Sequence, residues 1–587
     1  GLMNRGFDTY VAPSLDGPVG ASHCESCGMC IDTCPTGAIT ENVPFKPAPV
    51  KTESFRTICH YCSLGCEIEL HHQSGFFSRV TGRKGLVNKD GSICRFPKFG
   101  YRILNDKQRI TKPLRRENGR YKEIGFEEAL GIIAERIKAV EPDQNAFYAG
   151  ARLTNEEQYL VQKLARAGAK TNNVSSFHYI DRGGGYFPNS ANSIPLEQIP
   201  QSGRLYFLGS EVHLENAVAG FYAFNHHFRN QIPLTVITTE PESKTARKAT
   251  EVTRVTSYDH FLKAAVHYIL SNKLENQVYI HDHCSGFDRY RSEMLGLDFQ
   301  ELVHAAGCTE KQVRDFARGY NEEHQAMLFF SEKHVSSDTC HELRNLAMIT
   351  GKSGKTAAGL VSLKEKNNAQ GLFDMGACAA IAPGGQPMGD QAQREQLEKT
   401  WDMKNLSSRV ETEQWQLLEE ARLKNAFVFS EDPLGCAIDK QAMAGLLQKV
   451  EFLVVQDLFM SETAMQADLV LPASYHFETG GSFTNSTRFI QQFPASHPSP
   501  LEMDAPEQLI ALLSRLGVET KDKTPAGIML EVASLLRNDR THHPRPLVVT
   551  KGDHGKRKFD HGCDILVKRF EEQWEKAFNK TQTDENL

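Results

Sequence analysis

Eight of the fourteen cysteines fall within residues 24–94, at spacings suited to binding iron and sulfur. Cys24, Cys27, Cys30 and Cys34 form the run CESCGMCIDTCP. In such a run the two-residue spacings let one loop wrap three irons of a cubane, while the fourth cysteine, followed by proline, reaches a neighbouring cluster. Cys59, Cys62 and Cys66 form a second group, completed after 27 intervening residues by Cys94. Four thiolates with one remote member suit a complete [4Fe–4S] cubane. Tetrahedral zinc also accepts paired cysteines, but four of them ending in Cys-Pro point to the cubane. His60, inside the second group, is a candidate donor to a cluster sulfur, whereas His23 reads as a solvated loop histidine. The other six cysteines (Cys284, Cys308, Cys340, Cys378, Cys436 and Cys563) are isolated. A disulfide framework would distribute its cysteines through the fold, so this clustering is metal chemistry, and a reducing compartment, the cytoplasm, is expected.

Counting ligands exposes a gap. If Cys24, Cys27 and Cys30 serve one cluster and Cys34 another, one more cysteine is needed for the first and three for the second, and residues 1–23 contain none. The first run therefore reads as the C-terminal part of a ferredoxin-like module whose other cysteines lie upstream or on another chain. One or two clusters would share it.

These sites need elements to position them, and 587 residues allow several cores. Apolar residues make up 40% and charged residues 24%, as in ordinary globular proteins. The net charge of −6 argues against nucleic-acid binding, which needs a basic face. No apolar run approaches the ~18 residues of a membrane span. The chain opens Gly1-Leu2-Met3, with no basic or apolar targeting signal. Pro35, Pro44, Pro47 and Pro49 mark a linker between the cysteine groups. Beyond Ile110 the pattern alternates. Residues 126–140 carry apolar residues at helical spacing, and Thr154 with Glu157, then Thr309 with Gln312, form capping boxes. Between helices lie apolar runs at 205–208, 234–237, 327–330, 426–429, 452–455 and 469–471. They predict βαβ units and buried, largely parallel sheets, arranged as two α/β lobes. From about residue 520 the chain turns polar, with a basic patch at 551–558, one amphipathic helix near 565–578 and a tail expected to dock or stay solvated.

The second cysteine group resembles the cluster domain of molybdopterin-dependent oxidoreductases, above all formate dehydrogenase α subunits and the large iron–sulfur subunit of respiratory complex I. The resemblance covers roughly residues 1–515. Residues 153–157 (LTNEE), 171–174 (TNNV) and 367–377 (NNAQGLFDMGA) are similar to segments lining the pterin cavity. Residues 454–464, 467–472 and 483–485, with Arg488 and Gln491, are similar to the family's later strand and loop motifs. The resemblance implies an α/β multidomain fold. A ferredoxin-like [4Fe–4S] module (1–48) and a small cluster domain (49–110) would precede two interleaved α/β lobes of formate dehydrogenase type (111–515) and a polar, helical tail (516–587).

The departures from the family cluster in one place. The molybdenum ligand position falls on Asp181, followed by Arg182, and the relay lysine position on Phe96, with Lys98 the nearest substitute. The nucleotide-gripping Asp-Pro-Arg falls within Thr238, Thr239, Glu240, Pro241 and Glu242, whose carboxylates would repel a pyrophosphate. Glu211 stands where the family has Asn, and Ser430-Glu431-Asp432-Pro433 where it has Gly-Glu-Asn-Pro. The β-barrel cap that the resemblance places after the Arg488 motif is not expected. The reading is therefore an iron–sulfur electron-transfer subunit of a multisubunit soluble oxidoreductase linked to NAD(P)H, ferredoxin, hydrogen or formate, without molybdopterin and with a flavin- or NAD(P)-binding partner implied by analogy. The alternative is a catalytic molybdenum or tungsten bis-pterin enzyme with Asp181 as ligand. The loop Gly183-Gly184-Gly185 follows no clear strand, and the pairs His226-His227 and His542-His543 lack a matching cluster, so none is assigned a site.

Overall fold

The computed structural model describes residues 2–11, 24–41, 52–180, 182, 194–409, 414–536, 545–550 and 558–584. Asp181, Gly183-Gly184-Gly185, His23, His542-His543 and the centre of the 35–58 linker lie outside them. Two sheets dominate. One has five parallel strands in the order Glu251–Arg254, Leu234–Thr238, Arg204–Leu208, Ala326–Ser331 and Gly359–Leu363. The other has seven, ordered Arg120–Glu123, Leu114–Glu117, Leu469–Pro472, Phe452–Asp457, Asn425–Phe429, Asn145–Ala149 and Val174–Ser175. Its last five strands are parallel, and the two at its edge are antiparallel. The second sheet takes strands from before and after those of the first, so the chain passes between the two sheets more than once. Each predicted apolar run is a strand buried along its length, as sheets covered by helices on both faces require.

Local signals set the flanking helices. Phe126–Lys138 buries Phe126, Ala129, Leu130, Ile133, Ala134 and Ile137 on one stripe, and ends two residues before the expected limit because Ala139 caps it and Pro142 follows. Both capping boxes are present, at Thr154 with Glu157 and at Thr309 with Gln312. The helix that Thr154 opens, Asn155–Lys163, is buried on every face and so crosses the interior. A three-stranded antiparallel sheet (Glu53–Ile58, Glu67–Gln73 and Phe76–Gly82) carries the second cysteine group and shares one apolar core with the five-stranded sheet. Among the described residues no helix is long and apolar enough to cross a membrane.

Candidate functional site

Strands Glu53–Ile58 and Glu67–Gln73 pair with Ile58 opposite Glu67, so Cys59, Cys62 and Cys66 occupy the hairpin loop between them. The Cys59 N–H donates to the Cys66 carbonyl at 2.8 Å. Cys94 is the N-cap of helix Arg95–Gly100. Burial pushes all four thiols up, Cys94 to about 12, and neighbouring thiols of the set push Cys59, Cys66 and Cys94 further. Four such groups ionise together only around strong positive charge, which the irons of a cluster would supply.

Remote segments hold this loop. Ser63 donates its hydroxyl to the Lys364 carbonyl at 2.9 Å, and Asn485 donates to the Leu64 carbonyl at 3.2 Å. Gln491 donates to the Gly65 carbonyl at 2.8 Å. Gly65 adopts φ +70°, and a Cβ there would lie 1.9 Å from the Gln491 carbonyl oxygen, so the position demands glycine. Arg152 donates to the carbonyls of His60 and, at 2.7 Å, Tyr61. His60 is buried against Tyr61, with its Nε2 lacking a hydrogen-bond partner, and burial holds its ring neutral.

The first run is more open. Cys24 and Cys30 are exposed, and Cys27 and Cys34 half-buried. Burial raises Cys27, and Cys24 and Cys30 add to the effect, so these three sit within electrostatic reach. Cys34 stands apart: the Ile39 N–H and the Thr36 hydroxyl draw its thiol down to about 7. This module docks through ion pairs. Lys98, only 3% exposed, pairs with Asp32 at 2.5 Å and donates to the Val80 carbonyl at 3.3 Å. Arg102 pairs with Glu41 at 2.6 Å, and Lys248 with Glu25 at 2.7 Å. Lys98 therefore faces the first cysteine module and is no substitute for the relay lysine. Phe96, at that lysine's position, stacks on Tyr61 and packs against Phe570.

In open α/β sheets ligands bind beyond the carboxyl ends of the strands. Here those ends point into one cleft: Arg152 follows Asn145–Ala149, Glu431 and Asp432 follow Asn425–Phe429, Asp457 ends Phe452–Asp457, and Lys366 follows Gly359–Leu363. Two of the segments that the family resemblance places around a pterin, 153–157 and 367–377, meet here. Asn368 donates to the Leu153 carbonyl at 2.7 Å and accepts from the Thr484 N–H at 2.8 Å. His226 and His227 are elsewhere, bonded to the Ser202 and Ile232 carbonyls, and carry no site.

The sequence reading missed what closes this cleft. The polar C-terminal segment enters it. Phe559 bridges to Ala437, Phe559 also packs edge-on against Phe177, and His561 against His178. Asp564 accepts from the Arg152 Nε at 2.7 Å and lies 2.6 Å from its Nη2 as an ion pair, and Lys568 donates to Glu462 at 2.9 Å. Helix Ile565–Asp584 then continues past Phe96, with Arg569 paired to Asp106. Phe559, His561, Asp564, Leu566 and Phe570 are all buried. Between this segment and the strand ends remains a cavity of about 60 Å³, lined by Arg152, Glu431, Asp432, Asp457 and Asp564 among others. On its outer side the same helix borders an open groove of about 440 Å³ along Met460, Glu462 and Lys568. Burial lifts the Glu431 and Asp457 carboxyls to about 7. Burial would lift Asp564 too, but Arg152 and Lys366 hold it below the usual range. Phe559 and the apolar residues Ile565, Leu566, Val567 and Phe570 of the expected amphipathic helix were the sequence signal for this docking.

Residues 52–106 match the Molybdopterin oxidoreductase Fe4S4 domain and residues 18–40 a 4Fe-4S binding domain. The chain is 29% identical over 462 residues to F420-dependent formate dehydrogenase 2 subunit alpha of Methanococcus maripaludis, covering 76% of this chain and 67% of that protein. It is 28% identical over 489 residues to formate dehydrogenase H of Escherichia coli, covering 78% and 68%. It is 27% identical over 559 residues to NADPH-Fe(3+) oxidoreductase subunit alpha of Geobacter sulfurreducens, covering 91% and 64%. The chain thus spans about two thirds of the length of these relatives. Acetylene hydratase from Pelobacter acetylenicus shares the fold, with a TM-score of 0.63 at 18% identity over 80% of this chain and 70% of that one. With residues 109–504 matching the Molybdopterin oxidoreductase family itself, the chain belongs to that family.

Proposed function

We propose that the chain is an iron–sulfur electron-transfer subunit of a multisubunit oxidoreductase that carries no molybdenum. Cys59, Cys62, Cys66 and Cys94 hold one [4Fe–4S] cluster. Cys24, Cys27 and Cys30 contribute to a second, and Cys34, turned to Ile39 and Thr36, serves a neighbouring one. The clusters supply one-electron chemistry. The chain's own residues bury the second set of thiols, pin its loop through Arg152, Lys364 and Gln491, and join the two cysteine modules through Lys98 and Asp32.

The closed cleft carries the reading. A cavity of about 60 Å³ admits a few waters, whereas sites for even drug-sized ligands measure roughly 300–1,000 Å³. The carboxyl groups of Glu431, Asp432, Asp457 and Asp564 line it with Arg152 as the one lysine or arginine among its lining residues, and Asp564 already holds Arg152, so no cation is left there to pair a pyrophosphate. These residues do not fit a bis-pterin dinucleotide. The relatives named as alpha subunits support a place among other chains, and an NADPH-Fe(3+) oxidoreductase among them favours a flavin- and NAD(P)-binding partner. Metal analysis with EPR of the reduced protein tests the proposal. Iron and sulfide with cubane signals and no molybdenum or tungsten are expected, and stoichiometric molybdenum or tungsten with pterin would overturn it.

A further inference from the structure

We propose that Cys436 and Cys563 form a dithiol–disulfide couple that latches the C-terminal segment into the cleft. Cys436 ends the short helix Pro433–Cys436, directly after Glu431 and Asp432 of the cleft wall. Cys563 lies opposite it, on the entering segment, one residue before Asp564. The Cys436 thiol donates to the Cys563 carbonyl at 3.1 Å and the Cys563 thiol lies 3.9 Å from the Gly435 carbonyl, so each sulfur sits against the backbone that carries the other. The backbones on both sides are already in register. Ile438 donates to the Lys558 carbonyl and Asp560 to the Cys436 carbonyl, each at 2.8 Å, and Ala437 bridges to Phe559.

The pair is asymmetric in the way thiol–disulfide exchange requires. Cys436 is buried, while Cys563 is half-buried. Cys436 beside it, with Lys568 nearby, draws the Cys563 thiol down against its burial. Cys563 is thus the attacking sulfur. Its thiolate attacks a low-molecular-weight disulfide of the glutathione class and expels one thiolate. Cys436 then loses its proton and attacks the Cys563 sulfur of the mixed disulfide, expelling the second. Two protein thiols are oxidised by two electrons, one small disulfide is reduced, and the two protons end on the two released thiols. The other four cysteines outside the cluster runs do not enter this step. The inference goes beyond the electron-transfer reading, because it concerns how the segment is held whatever the clusters do.

The test uses the intact protein with its partner subunits, kept anaerobic and treated with oxidised glutathione or with a phosphine reductant. Free thiols are alkylated, peptides are mapped by mass spectrometry, and amide exchange is followed across residues 558–570. Oxidation should give a Cys436–Cys563 cross-linked peptide and slow exchange in the segment by about tenfold or more. Cys563→Ser and, independently, Cys436→Ser should lose both effects. Alkylation of both cysteines after oxidation, a glutathione adduct on Cys563 without a cross-link, or a cross-link that leaves exchange unchanged would each overturn the latch.

Discussion

Replacing Arg152 with Met should release the C-terminal segment from the cleft while keeping the apolar stem of the side chain. Arg152 joins two things the sequence keeps far apart. Two of its nitrogens hold Asp564 at 2.6 and 2.7 Å, and the third donates to the Tyr61 carbonyl at 2.7 Å and to that of His60. Both side chains of the pair are only 10% exposed. Without Arg152, Asp564 stays buried near Asp457 with Lys366 as its remaining cation. Breaking a buried pair from one side costs about 3–5 kcal/mol, because the surviving charge keeps its desolvation penalty. Asp564→Asn should cost less, about 1–3 kcal/mol, and the double variant should show a coupling energy of about 1–3 kcal/mol. A multidomain chain has no single unfolding free energy, so local opening is the useful observable. The Leu566 and Val567 amides, bonded to Asp564 at 3.0 and 2.9 Å, report it directly. Opening easier by about 3 kcal/mol is roughly a 100-fold loss of exchange protection. Protection unchanged within about twofold in Arg152→Met, or additive single-variant effects, would refute the seating of this segment.

Three further predictions concern the cluster loop and the cleft. Cys62→Ala should abolish one cubane EPR signal and electron flow; retention of every signal would remove Cys62 from the ligand set. Gly65→Ala must carry a side chain at φ +70° against Gln491, and should destabilise the loop by about 1–3 kcal/mol. Lower iron content and a weaker signal are expected, with partial rescue by Gln491→Ala, and a fully loaded Gly65→Ala protein would contradict the geometry. Burial, with Asp432 and Asp564 adding to it, raises the Asp457 carboxyl from 3.8 to about 7. The folded state therefore binds more protons than the unfolded state in that window, so stability is lost as pH rises through it, by at most about 4 kcal/mol. Asp457→Asn should flatten the fall in thermal stability between pH 5 and pH 8, and an unchanged slope would count against a raised Asp457.

Much of the fold was legible because its signals are local. The capping boxes at Thr154 and Thr309 and the six apolar runs each depend on a few neighbouring residues, and each became the expected element. Lys98 shows the limit. Its sequence position suggested a link toward a pterin, but the direction of a long, flexible side chain is set by its partner, and Asp32 lies on the other side. Gly65 stands within the second cysteine group, but its left-handed backbone and the Gln491 side chain packed against it belong to the folded loop. The 558–570 segment was hidden for the same reason. Asp564 and Arg152 are separated by 412 residues, and a polar stretch carrying Phe559, Ile565, Leu566, Val567 and Phe570 reads alike whether it docks or stays solvated.

By itself the sequence determined the iron–sulfur chemistry of the cysteine runs, since ligand spacing along a short loop is a property of the chain, and it determined the α/β lobes, since periodic burial is written in residue order. Only the tertiary structure decided what the second cysteine group faces. That depends on which carboxylates, cations and aromatic rings from remote segments share one low-dielectric cleft, and here the chain's own C-terminal segment fills it.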